Sequence, residues 1–140
     1  MKILLTTLVF ALSSASSLAG TATDEATQHI NSIATGDTVS VLKHYQESAT
    51  MQWLGGPLDG TYTGKEQLSS LWGKFTKAQG PMKIKIANIV EHSNPKGATV
   101  TADVFFNGNK NVPVHYVLSY RDGMLVSEIW QVSPSLASMY

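Results

Sequence analysis

The residues best suited to chemistry lie in the last third of the chain, where two apolar stretches, Val114 to Tyr120 and Met124 to Val132, flank Arg121-Asp122-Gly123. This pattern predicts a β-hairpin with a three-residue loop. If Tyr120 pairs with Met124, then Tyr116 lies opposite Glu128 and Val114 opposite Trp130. One face then carries Tyr116, Leu118, Met124, Val126, Glu128 and Trp130. It is the larger and more aromatic of the two, and Glu128 is its only charge. A register with Arg121 opposite Met124 would instead group His115, Glu128 and Trp130. A carboxylate on an apolar face is costly unless it is paired or protonated. Burial generally raises the pKa of a carboxyl group, which suits it to general acid–base work near neutrality. On that reading Glu128 and the Tyr116 hydroxyl handle a proton or orient a polar group of a ligand. The alternative is a structural Glu128, solvated at the mouth of the fold or bonded to a neighbouring Tyr, Gln or backbone N–H.

The elements that position this hairpin are legible upstream. Thr23-Asp24-Glu25 offers a helix start, and Ala26, Ile30, Ile33 and Ala34 follow at helical spacing. Gly36 stops that helix and Asp37 caps a second, which carries Val41, Leu42 and Tyr45 and ends at Tyr45. Ala49 to Leu54 alternates as a half-buried strand, broken by Gly55-Gly56-Pro57. Leu58 to Thr63 is a loop or short hairpin. The strongest helical signal is Leu68, Leu71, Trp72 and Phe75, spaced i, i+3, i+4, i+7. Strands follow around Met82 to Ile86 and Val100 to Phe106, separated by turns at Asn94-Pro95-Lys96-Gly97 and Asn107 to Asn111. Ser133 to Tyr140 reads as a tail. Three helices and at least four antiparallel strands predict an α+β fold with the sheet rolled around the helices.

The first residues read as an export signal. Met1-Lys2 is followed by an apolar run from Ile3 to Leu12 and a small-residue patch ending at Ser17-Leu18-Ala19. Cleavage after Ala19 leaves one domain, residues 20–140, with an ordered core at about 24–133. The expected location is the bacterial periplasm, with no membrane attachment after cleavage. The 140-residue chain has 10 basic and 10 acidic side chains and no Cys. Losing Lys2 would leave the acids one ahead. Such a balance, with no Lys/Arg cluster, argues against nucleic acid as a partner. His29, His44, His92 and His115 show no metal-ligand spacing, so no metal is expected. No Gly-rich phosphate loop or nucleophile elbow occurs, so no cofactor is expected either.

The stretch IATGDTVSVLKHYQESATMQWLGGPLDGTYTGKEQL resembles the amino-terminal half of nuclear transport factor 2-like, or SnoaL-like, domains. The terminal YRDGMLVSEIWQV looks like their last hairpin. The resemblance implies a curved sheet around three helices, a cone with an apolar cavity, and homodimers through the sheet. It also lets Trp53, Trp72 and Trp130, from three different elements, converge on that cavity. Ketosteroid-isomerase-like members use a carboxylate base and two oxyanion donors. By resemblance the base position falls at Trp53, which cannot take a proton, and the donor positions fall at His29 and Tyr116. That mechanism is therefore not carried over, although His29 could still assist Glu128 and Tyr116.

Three functions follow as expectations. The first is binding of a small apolar or aromatic molecule by Trp53, Trp72, Tyr116, Leu118, Glu128 and Trp130, without turnover. The second is a cofactor-free isomerase, cyclase or dehydratase that uses Glu128, Tyr116 and His29. The third is a structural homodimer whose sheet face, with His115, Val117, Ile129 and Gln131, is the interface.

Overall fold

The computed structural model describes residues 21–140, so the expected signal peptide at residues 1–19 lies outside the described residues. Helix α1 (Thr21–Thr35) buries Ala22, Ala26, His29, Ile30 and Ile33, a stripe at helical spacing that faces the core. The Asp37 carboxylate accepts the Ser40 N–H at 3.1 Å and so starts α2 (Thr38–Lys43). This helix is shorter than expected. Tyr45 does not end it but opens β1 (Tyr45–Leu54), four residues ahead of the expected strand start. The spacing Val41, Leu42, Tyr45 suits a helical stripe, yet tertiary pairing overrides it. Leu125 donates its N–H to the His44 carbonyl at 2.9 Å, and Tyr45 pairs with Leu125 on β6.

After β1 come β2 (Gly60–Thr63), α3 (Gly64–Gln79), β3 (Lys83–Asn94), β4 (Gly97–Asn107), β5 (Asn111–Arg121) and β6 (Met124–Val132). They form one six-stranded sheet in the order β2-β1-β6-β5-β4-β3. The fold is α+β, with a curved sheet against the helices, as expected. The sheet is mixed and not wholly antiparallel, because β1 and β6 run parallel. This pairing sets Trp53 beside Trp130 and Met51 beside Glu128.

The β5–β6 hairpin corrects the expected register. Arg121 pairs with Met124 across a two-residue Asp122-Gly123 loop whose φ values, +52° and +72°, are those an Asp-Gly turn supplies. A shift between Ser119 and Tyr120 then absorbs one extra residue on β6. Beyond that bulge Leu118 faces Glu128 and Tyr116 faces Trp130. Leu125 is buried in place of the expected Met124 and Val126, while Glu128 and Trp130 still point inward. His115 is exposed, so the alternative grouping of His115 with Glu128 and Trp130 does not form.

The carboxyl-terminal segment is not a free tail. Pro134–Ser138 forms a 3-10 helix that buries Leu136. Tyr140 donates its hydroxyl hydrogen to Asp103 at 2.9 Å and sets its ring against Phe105. Asp103 also bonds His115 at 2.9 Å. The outer sheet face therefore carries this strap near His115, and leaves Ile129 and Gln131 exposed.

Candidate functional site

Glu128 is 2% exposed and its carboxylate is fully engaged. His29 Nε2, from α1, lies 2.9 Å from Oε1. The Tyr116 hydroxyl, from β5, donates to the same oxygen in a short hydrogen bond. The Tyr45 hydroxyl donates to Oε2 at 2.6 Å and itself accepts the Trp72 indole N–H at 2.9 Å. Three donors thus offset the desolvation of a buried carboxylate. Burial first, and then the Glu128 charge, pushes the Tyr45 and Tyr116 hydroxyls well above the usual phenol range. Both remain protonated donors at neutral pH.

The chain of contacts continues outward. His29 Nδ1 lies 2.9 Å from Nδ1 of His44, which is half-buried. One hydrogen occupies that contact. With His29 neutral and its Nε2–H on Glu128, His44 donates; with His29 cationic, His44 accepts. Burial, followed by the His29 charge, holds the His44 pKa below the ordinary imidazole value. Both His29 nitrogens are spent on protein partners. Consistent with that, no metal-holding group of His, Asp and Glu occurs among the described residues.

The tryptophans fill the interior beside this network. Trp130 stacks on Trp53 at 4.5 Å and 22°, and on Phe106 at 4.7 Å and 28°. Trp72 and Phe75 meet Trp130 edge-on at 5.3 and 5.4 Å. Such offset and edge contacts add to the stabilisation from burial. The Trp53 indole N–H donates to the Gly55 carbonyl at 3.0 Å and so ties β1 to the loop that follows it. The Trp130 N–H and the Tyr120 hydroxyl are buried without a hydrogen-bond partner.

Open space begins where this packing ends. A cavity of about 490 Å³ lies where β1 and β6 end, β5 begins and α3 finishes. Trp53 and Phe75 lie on its inner side, with Leu58, Ala78, Val112 and Val132 around them. Two further cavities, of about 380 and 520 Å³, flank the β3–β4 turn; residues of β3, β4 and β5 line most of the first, and α1 adds Thr21, Ala22 and Glu25 to the second. The apolar cavity has the size and lining of a small-molecule site.

No family model matches the sequence, and no curated protein matches it significantly. Solved structures do match. A Pseudomonas putida NTF2-like protein of unknown function aligns with a TM-score of 0.68 at 14% identity, over 79% of this chain and 82% of that one. The fold is NTF2-like. A Nostoc punctiforme protein of unknown function with a cystatin-like fold gives 0.68 at 16% identity, over 81% of this chain and 90% of that one. A de novo designed protein with a curved β-sheet gives 0.61 at 16% identity, over 86% and 92%. A fold does not by itself fix an activity, so function rests on the site.

The NTF2-like frame separates the expected site residues into two groups. His29, Tyr116 and Glu128 come together as one hydrogen-bonded cluster, and Trp53, Trp72 and Trp130 as one aromatic cluster. Leu118 is fully buried opposite Glu128. Trp53 alone of the expected set lines the apolar cavity; Trp72, Tyr116, Leu118, Glu128 and Trp130 do not line it. Sequence reasoning missed Tyr45 and His44 as members of the network. Nothing local marks either residue, because Tyr45 opens β1 and both meet the network only through tertiary packing. It also missed Leu58, Val112 and Val132, whose meeting depends on the ends of three distant segments.

Proposed function

We propose that this NTF2-like domain, acting after export, binds a small apolar or aromatic molecule without turning it over. The observation that carries this reading is the division of the interior. Glu128, the acid on which catalysis would depend, has both carboxylate oxygens hydrogen-bonded, by His29, Tyr45 and Tyr116, and is closed off from solvent. The apolar cavity instead opens at the Trp53 end of the aromatic stack. An acid–base role would require a substrate to displace Tyr45 or Tyr116 from the carboxylate, at the cost of a charge-assisted bond. A ligand in the apolar cavity requires no such rearrangement.

Titration with a neutral naphthalene probe, followed by NMR, tests the reading. The expected result is shift changes centred on the Trp53 indole and the Val112 and Val132 methyls. Ala78, exposed on α3 and lining the cavity, is the position for a blocking substitution. Ala78→Trp should weaken binding by about tenfold or more, because it fills space the probe needs. Unchanged binding by Ala78→Trp, or shifts centred on His29 and Glu128, would overturn the assignment.

A further inference from the structure

The charge around the apolar cavity says more about its ligand. Its polar lining is largely spent on the protein itself. The Gln79 amide donates to the Phe106 and Lys110 carbonyls at 3.2 and 2.8 Å and accepts the Lys110 N–H at 3.0 Å. Asn109 Nδ2 donates to the Ala78 carbonyl at 3.0 Å. Asp59, in the neighbouring loop, accepts the Gly55 N–H at 2.7 Å and is not part of the lining. No Asp or Glu lines the cavity, whereas Lys74 and Lys110 both do, and both are exposed. Among the described residues the ion pairs are His29–Glu128, Lys65–Glu47 and His115–Asp103, so neither lysine is in one.

The helix dipole explains neither cation: the basic residue in the last turn of α3 is Lys77, Lys74 lies before that turn, and Lys110 sits in the β4–β5 turn on no helix. In a chain with equal numbers of acidic and basic side chains, two unpaired cations at one apolar opening form a local positive rim.

Resting on the binding reading above, we propose that the ligand is an amphipathic monoanion. Its apolar ring system lies against Trp53, Phe75 and Val132, and its carboxylate meets the ammonium groups of Lys74 and Lys110 at the opening. The apolar body supplies most of the affinity, while the charge supplies selectivity and attraction over a distance set by salt. Lys is a compact point charge, so the recognition is for a negative group and not for a bidentate geometry.

Three probes of one shape separate the two levels of the claim: 2-naphthoate, 2-naphthalenemethanol and 2-naphthylmethylammonium. Calorimetric titration in low salt should show naphthoate binding about tenfold tighter than the alcohol, with the ammonium weaker than both, on the scale of two partly exposed charge pairs. Raising NaCl should erode the naphthoate affinity and leave that of the alcohol. The double variant Lys74→Gln/Lys110→Gln should bind naphthoate and the alcohol alike, with the alcohol affinity at its wild-type value. Equal wild-type affinity for acid and alcohol would sink the anion proposal and leave the apolar site standing. Binding of none of the three would remove both. A double variant that still prefers naphthoate would overturn the role of these lysines.

Discussion

Tyr116 and Tyr120 lie four residues apart on β5, and both point inward, but only Tyr116 has a partner for its hydroxyl. The same substitution should therefore act oppositely at the two positions. Tyr116→Phe removes a donor from a buried carboxylate and should cost about 2 kcal/mol, the scale of a hydrogen bond to a charged group. Tyr120→Phe deletes an orphan hydroxyl and should leave stability within about 0.5 kcal/mol of the parent, or raise it. Urea unfolding midpoints of the two variants check the contrast. Similar losses from both would mean that the Glu128 network is not the source of the difference. The inward direction of Glu128 was legible in the hairpin's alternation. Its partners were not, because they come from sequence positions 99 and 83 residues away as well as from β5.

The β3–β4 turn and the β5–β6 hairpin meet at Gly97, which approaches β5 more closely than a side chain permits. A Cβ there would stand 2.1 Å from the Tyr120 carbonyl oxygen. Backbone cannot yield as a flexible side chain does, so Gly97→Ala must spread the two strands. The expected loss is about 1–3 kcal/mol, in the range of overpacking, and a fall in thermal midpoint measures it. An alanine variant as stable as the parent would show that this end of the sheet is loosely packed. The Asn-Pro-Lys-Gly turn was readable from its residues, but the approach of Gly97 to Tyr120 was not. The same holds for the bulge before Tyr120. Strand alternation reports which side a residue faces within an unbroken run, and one inserted residue resets that parity. This is why Glu128 and Trp130 keep their inward places while Leu125 replaces Met124 and Val126.

At the scale of the whole molecule, His44 links folding stability to pH. Burial and the His29 charge place its folded pKa below the ordinary value of 6.5. As pH falls, the unfolded chain takes up this proton first. The contribution is therefore fully present above 6.5, and it is lost as pH drops from there through the folded value. Urea midpoints measured between about pH 8 and pH 5 should decline for the parent, and His44→Gln should decline less over that window. An unchanged slope in His44→Gln would assign the dependence to other groups.

The order of helices and strands, the stop at Gly36, the amphipathic stripe of α3 and the α+β class were all determined by the sequence alone. These depend on local periodicity and on residues whose backbone preferences act within a few positions. Tertiary structure decided the rest: that β1 runs parallel to β6, that Tyr45 belongs to a strand, and that the last residues strap the outer face. It also decided that three tryptophans pack the interior instead of lining an empty one, which moves the open apolar space to the end of the sheet beside Trp53. Packing of this kind depends on which distant surfaces meet and how much volume their side chains occupy, and no local pattern encodes that sum.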